Sequence, residues 1–413
     1  MDVLDRRLVS ALQVNPRAAW GEIARAVGEH ERTVARRLQR LIADGAVRVT
    51  AIYDDLRSGH GRPVHLHVQV RPGTAAAVAE ALASRPDTRS VYSLTGVADI
   101  GCELVSPSRE ALHDILTAQV AAIDGVQQTR TQVVLHTFRT VAEWHAPYLD
   151  EREIAELRPA PHDGPQAGPR TGPHVDPHTG LHAGPRPDPH VDPHTGLHAG
   201  PRPGPHADPH AGPQAGPHAA PHDGSPEDAA PEGGPASGSP PSAPDGYLPG
   251  GVPPDEEGLS PLEQEIADLL VADGRIAFTA IAERLGISLP TARRRAASLL
   301  ERRLLLPRAE VEPALLGLEA EAQLWLKVRP QGLDHVGRTL SAHPHVRYCA
   351  ATAGTHSLIV QVAVAHEAAL YRFLTGVVGL YDEVTDIDVT LITRAHKRGH
   401  LRKSGLRTLE RTP

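Results

Sequence analysis

Two arginine-rich segments carry the densest chemistry in this chain. In ERTVARRLQRLIAD, which begins at Glu31, a helix would place Val34, Leu38 and Leu41 on one face and Arg32, Arg36, Arg37 and Arg40 on the rest. In TARRRAASLLERR, which begins at Thr291, Arg293, Arg294 and Arg295 stand in the corresponding place. A guanidinium donates in a planar fork that fits a guanine edge or a phosphate, so such a helix can enter the major groove of double-stranded DNA. Ser288 sits where an N-cap is needed and Pro290 in the first helical turn, so the helix N-terminus would face the backbone. The candidate DNA contacts are Arg32, Thr33, Arg36, Arg37 and Arg40 in the first segment. In the second they are Ser288, Pro290, Thr291, Arg293, Arg294 and Arg295. Arginines on a merely solvated helix face would look the same in one segment. Two segments that keep Thr33/Thr291 and the arginine pair at one offset argue against that reading.

That offset is 258 residues, and it holds across the whole of a module. Leu4 falls on Leu262, Arg17 on Arg275, Ile23-Ala24 on Ile281-Ala282, Gly28 on Gly286, Arg71-Pro72 on Arg329-Pro330, Gly96 on Gly354 and Asp124 on Asp382. One module of about 140 residues has been duplicated, with a foreign insert between the copies. In each copy two short helices precede the arginine-rich one. LDRRLVSALQVN carries an apolar stripe, and GEIARAVG ends on a glycine suited to a turn with positive φ. Three short helices of this kind form a helix-turn-helix. The alternation from Ala46 to Ile52 then suggests a short wing strand.

The remainder of each copy reads as strands at Val64–Val70, Arg89–Leu94, Asp99–Val105 and Val126–Leu135. Helices lie between the first two strands and between the last two. That order is βαββαβ, the ferredoxin-like arrangement, and it repeats from Ala322 to Ile392. The expected fold class is α+β, two copies of a winged helix-turn-helix followed by a ferredoxin-like domain. The expected boundaries are 1–53 and 62–140 for the first copy, 150–258 for the linker, 259–312 and 320–395 for the second copy, and 396–413 for a basic tail. A four-stranded sheet with helices on one face needs cover on the other, and pairing of the two sheets would supply it.

Composition narrows the function further. Cys102 and Cys349 occupy non-equivalent positions and form no spacing motif, which points to a reducing cytosol without a disulfide framework or a cysteine-based zinc site. The charged N-terminus speaks against a secretory signal, and no apolar run approaches the roughly 18 residues of a membrane span. A cytoplasmic, nucleoid-associated protein without cofactor or membrane is expected. The net charge of −8 hides an asymmetry. Residues 150–258 hold 17 acids against 5 arginines, whereas residues 1–50 hold 9 arginines against 6 acids and residues 259–308 hold 8 against 6.

The insert is built of Pro, Gly, Ala, His and Asp, with a near-repeat of PHVDPHTGLHAGPRP at Pro173 and Pro189. It is expected to be disordered, and its eleven histidines to be repeat expansion rather than a metal site. The basic tail from Arg394 would touch DNA backbone or fray in solvent. No glycine-rich phosphate loop, CxxC pair or hydrolytic constellation appears, so the chain reads as a non-enzyme.

The segments LDRRLVSALQVNPRAAWGEIARAVG, TVARRLQRLIADGAV and their second-copy counterparts, followed by βαββαβ, resemble the leucine-responsive/asparagine-regulator (Lrp/AsnC) family of transcription factors. The resemblance covers residues 2–140 and 260–395. It implies sequence-specific DNA binding, self-association through the ferredoxin-like sheets, and an amino acid or similar small effector bound near the turn SLTGVADIGCEL. The effector contacts it implies are Thr95, Gly96, Ala98 and Asp99, with Gly354, Thr355 and His356 in the second copy. Two departures matter. His30, flanked by Glu29 and Glu31, stands where the family has a serine, which would weaken DNA binding by the first copy; Ser357 replaces Asp99 in the second turn. A rival reading comes from a subgroup of this fold that decarboxylates sirohaem; an accessory partner that does not bind DNA is a third. The segments around Tyr92, Tyr348 and His356 lack the tryptophan of the decarboxylase pattern.

Overall fold

The computed structural model describes residues 1–158 and 258–411. The Pro/His-rich insert, with its histidines, lies outside them from 159 to 257. In the first copy α1 (Val3–Val14), α2 (Trp20–Val27) and α3 (Glu31–Ala43) lead to β1 (Val47–Tyr53). Then follow β2 (Arg62–Val70), α4 (Ala75–Ser84), β3 (Thr88–Leu94), β4 (Ile100–Ser106), α5 (Arg109–Asp114, continued by a π-helical turn to Val120) and β5 (Val126–Arg139). A further helix, α6 (Glu151–Leu157), precedes the insert. The second copy repeats the plan as α7 (Pro261–Ala272), α8 (Phe278–Leu285), α9 (Leu289–Glu301), β6 (Leu305–Val311), β7 (Ala320–Val328), α10 (Leu333–Ala342), β8 (Val346–Ala353), β9 (Leu358–Val364), α11 (Glu367–Gly376) and β10 (Val384–Arg398). The bounds of α1 to α3 recur 258 residues on without a slip in α7 to α9, so the duplication is structural as well as sequential.

Each helix-turn-helix closes on its own apolar face. Leu8, Leu12, Ile23, Val34 and Leu38 are fully buried in the first, and Ile266, Ile281, Ala292, Ala296 and Leu299 in the second. Gly28 and Gly286, at φ +71° and +63°, end the second helix of each in the left-handed region that glycine tolerates. The strand expected as a wing behaves differently. Rather than folding back on its own domain, β1 pairs antiparallel with β6 of the other copy, from Val47 opposite Val311 to Tyr53 opposite Leu305. Ala309 and Val311 are buried in the first helix-turn-helix core, whereas Ala51 and Tyr53 are buried in the second. Period-two alternation explains how one ribbon serves two layers: residues at odd positions seal the helical domains, leaving Ile52, Leu306 and Arg308 on the other side.

The two helix-turn-helices are also locked directly. Arg17 donates to the carbonyls of Gly274 (2.5 Å) and Ile276 (3.2 Å), and Arg275 returns the exchange to Pro16 (2.8 Å) and Ala18 (2.9 Å). Each guanidinium also lies over an aromatic ring of the opposite copy, Arg17 over Phe278 at 4.7 Å and Arg275 over Trp20 at 4.0 Å. Reciprocal contacts between equivalent residues are the mark of a two-fold interface, here made within one chain.

The ferredoxin-like sheets pair as anticipated, and more completely. β5 pairs with β2 up to Val133 and then with β8 of the second copy. β10 pairs with β7 up to Leu391 and from Ile392 with β3 of the first. Eight strands therefore close on themselves in the order β10-β3-β4-β2-β5-β8-β9-β7 and back to β10, with the helices outside. The enclosed face holds Val134, Trp325, Tyr348, Ala350 and Ile359.

Two segments depart from the expected boundaries. Residues 150–158 are not linker, because α6, capped by Asp150, packs Leu157 into the first helix-turn-helix core and pairs Glu153 with Arg7. The tail is ordered as strand where it leaves β10, not frayed from Arg394 onward. It continues β10 into a hairpin, β11 (Leu401–Ser404) and β12 (Arg407–Arg411), and Lys397, Arg398 and Lys403 are buried. Their charges explain why: Lys403 pairs with Glu310 and Glu312, and Arg398 with Glu312 and Glu321.

Candidate functional site

The arginine-rich helices divide their arginines between two tasks. Arg37 pairs with Asp2 (2.5 Å) and Asp5 (2.9 Å), and Arg40 pairs with Asp5 (2.9 Å), tying α3 to α1. Arg295, the counterpart of Arg37, pairs with the buried Glu263, the counterpart of Asp5. One arginine of each pair thus positions its helix against the domain. Arg32 and Arg36 on α3, and Arg293 and Arg294 on α9, are exposed and have no ion-pair partner among the described residues. Ser288 caps α9 by accepting from the Thr291 N–H (3.3 Å), with the two hydroxyls 2.8 Å apart, and Pro290 lies in the first turn. His30 makes no side-chain cap on α3, and Glu31 occupies its first turn.

The turns expected to hold an effector lie at the surface, with Thr95, Gly96, Asp99, Gly354 and Thr355 exposed, and are tied down by backbone hydrogen bonds. Asp99 Oδ2 accepts from the Val70 N–H at 2.8 Å. Its counterpart Ser357 accepts from the Val328 N–H at 2.9 Å, so an unlike residue does the same backbone work. Thr95 exchanges hydrogen bonds with the Leu391 backbone across the copies. A Cβ on Gly96 would meet Thr390, and one on Gly354 would meet Gln132 at 2.9 Å. The His356 N–H donates to Gln132 Oε1 (3.3 Å), Ala98 is buried, and Thr355 is exposed. Beside the first turn lies a recess of only about 10 Å³, room for one water. Because the duplicated module already carries the serine version of this hydrogen bond, Asp99→Ser should leave the urea midpoint unchanged. Asp99→Ala should lose about 1 kcal/mol, the net worth of one hydrogen bond. Equal losses from the two variants would show that Asp99 acts as more than a strand clasp.

Space for a ligand lies elsewhere. A cavity of about 580 Å³ opens between the β1/β6 ribbon and the closed sheet. Arg308 of β6, Arg347 of β8, Arg398 of β10 and Arg89 of β3 line it, with Tyr348 and His65. The buried side chains around it form a network of charges. Glu321 accepts from Arg347, from Arg398 (2.5 and 2.9 Å) and from Gln361 (2.7 Å). Arg89 pairs with Asp55, and Arg308 with Glu310. Burial pushes the Glu312 carboxyl up, but Arg398 and Lys403 outweigh it and hold the group at about 2. Burial, reinforced by Arg347, draws the Arg308 guanidinium down to about 9. Burial also lowers His65, whose ring nitrogen lies 3.2 Å from the Tyr348 hydroxyl, to about 4.

Comparison with known proteins places this architecture. Residues 1–42 and 260–300 match the AsnC-type helix-turn-helix domain, and residues 64–142 and 321–401 match the Lrp/AsnC ligand binding domain. The HTH-type transcriptional regulator FL11 of Pyrococcus horikoshii is 30% identical over 144 residues, 35% of this chain and 95% of that protein. The chain belongs to the Lrp/AsnC family. The FL11 regulator of Pyrococcus abyssi is likewise 30% identical over 144 residues and 95% of its length. This tandem Lrp/AsnC chain carries the domains of transcription regulators, twice. As a whole it is similar in fold to the siroheme decarboxylase NirDL, with a TM-score of 0.50 at 13% identity, over 95% of this chain and 92% of that one.

Sequence reasoning missed the cavity and the Arg17/Arg275 lock. A signal was present for both. Arg17 and Arg275 share the 258-residue offset, and so do Arg89 and Arg347 near the start of equivalent strands. A long cation kept twice inside a strand that must be covered calls for a buried partner. Among the described residues no group of three or more His, Cys, Asp or Glu could hold a metal ion, and no helix is long and apolar enough to cross a membrane.

Proposed function

We propose that the chain is a sequence-specific DNA-binding regulator in which one polypeptide does the work of a dimer. The observation that carries the reading is the pair of exposed arginine sets, Arg32/Arg36 and Arg293/Arg294, held in a fixed mutual orientation by the Arg17/Arg275 exchange. Double-stranded DNA would meet the N-terminal turns of α3 and α9 in similar major grooves, with Thr33 and Thr291 at the backbone. The two readers differ, so an imperfect palindrome is the expected operator. Glu29 and Glu31 flank the first reader and repel phosphate, which leaves the second as the stronger. A small effector regulates binding, and further chains associate through the ferredoxin-like domains. Selection of duplexes from a random pool, followed by a salt titration of the best, tests the reading. Selective capture with a steep fall of affinity in salt is expected, with a slope of roughly −0.9 per phosphate contact. Capture without sequence preference would overturn it.

A second reading, chemistry on a tetrapyrrole, is favoured by the arginine-lined cavity in a chain whose whole fold is similar to a siroheme decarboxylase. Carbon dioxide released from sirohaem by the purified chain would establish it.

A further inference from the structure

The 580 Å³ cavity is lined by cations whose hydrogen-bonding capacity is not spent. Arg308 and Arg347 are 5% and 2% exposed, yet the Nε of each has no hydrogen-bond partner among the described residues, and neither does Gln323 Oε1 on the same wall. Buried donors are rarely left so, because each unmet group costs as much as a lost hydrogen bond. Their ion-pair partners, Glu310 and Glu321, are shared with other cations, Glu310 with Lys403 and Glu321 with Arg398. The wall also carries the acids Asp54, Asp55, Glu103 and Glu143, fewer than its six arginines, and an apolar and aromatic stretch with Phe138, Tyr348 and Ile359. The volume falls within the range of small-molecule sites.

We propose that this cavity is an effector site, and that it takes an organic anion bearing two or more carboxylate or phosphate groups on an apolar body. Arg308 and Arg347 grip the acid groups, and Tyr348 and Ile359 cover the body. The proposal deepens the regulator reading and rests on it for its consequence. Arg308 belongs to β6, and the opposite face of that strand, through Ala309 and Val311, is part of the first helix-turn-helix core. A ligand drawing on Arg308 therefore acts on the same strand that orients a DNA reader, which gives occupancy a direct route to DNA affinity.

The test uses the full chain and the fluorescent aromatic anion 8-anilinonaphthalene-1-sulfonate as reporter. Displacement by mellitate, an aromatic polycarboxylate, and by ATP distinguishes carboxylate from phosphate recognition. Saturable one-to-one binding is expected, displaced by at least one of the two. Arg308→Gln with Arg347→Gln should weaken it about 10- to 100-fold, the worth of charge-assisted hydrogen bonds. Thr137→Trp, which fills the cavity without removing a charge, should abolish binding while circular dichroism stays unchanged. The displacing anion should shift affinity for the selected duplex severalfold. Absence of saturable binding by the wild-type chain, or variants that bind as it does, would overturn the site. Binding with unchanged DNA affinity would overturn its regulatory role. A chain that selects no duplex but binds the reporter through Arg308 and Arg347 would keep the site and remove the regulator reading instead.

Discussion

Replacing Glu321 by alanine is expected to cost the fold about 3–5 kcal/mol, the usual penalty for stripping one partner from a buried ion pair. Glu321 lies on β7 with its carboxylate buried, and it accepts from two guanidiniums and an amide. Its removal leaves Arg347 and Arg398, both nearly inaccessible, with reduced compensation. Glu321→Gln, which keeps the shape and part of the hydrogen bonding, should fall between. Breaking the exposed Lys327–Asp386 pair by Lys327→Ala should shift the urea midpoint far less, as surface pairs do. The same network predicts how acid acts. Glu321 and Glu312 are held below the usual carboxylate range, Glu312 at about 2, by arginines and Lys403 that outweigh the effect of burial. The unfolded chain takes up these protons near pH 4.3. Their contribution is therefore complete above that pH and is lost as the pH falls toward about 2. Urea unfolding at pH 7 and a pH series check both statements. A Glu321→Ala midpoint within about 1 kcal/mol of wild type would mean that the arginines find other partners.

The second large effect concerns DNA. Arg293→Ala with Arg294→Ala should lower affinity for a selected duplex by roughly a hundredfold or more, since a base or phosphate contact by arginine is worth about 1–3 kcal/mol. Arg295→Ala should behave differently although its neighbours are the readers. Its guanidinium faces Glu263, so the loss should appear in the unfolding midpoint, with DNA affinity changed mainly through the position of α9. Arg32→Ala with Arg36→Ala should cost less than the second-copy pair, because Glu29 and Glu31 already repel phosphate there. Electrophoretic mobility shifts at two salt concentrations give the comparison. If Arg295→Ala lost as much affinity as the Arg293/Arg294 variant at unchanged stability, the division between readers and positioning residues would be wrong.

Much of this architecture was legible because it is local. Helical stripes such as Leu4, Leu8 and Leu12, strand alternation such as Val64, Leu66 and Val68, and the glycines at 28 and 286 express themselves within a few residues. The Arg36/Arg37 doublet was legible as charge but not as two roles. Only the packing of α3 against Asp5 decides that one arginine is a tie and the other is free. Asp99 was legible only as an implied effector contact; that it also clasps a strand, as its counterpart Ser357 does, shows only in the fold. The tail read as solvated because seven basic residues usually are. The burial of Arg398 and Lys403 depends on Glu310, Glu312 and Glu321, acids far away in sequence.

By itself, then, the sequence determined the module, its duplication, the order of its elements and the faces they bury, since all of these follow from periodicity and an internal offset. Only the tertiary structure decided that β1 pairs across the copies, that Arg17 and Arg275 exchange carbonyl partners, and that buried arginines surround a cavity. The physical reason is common to all three. A strand edge or a guanidinium carries the same local signature whether water or a distant segment satisfies it, and the choice is made by which segments the closed sheet brings together.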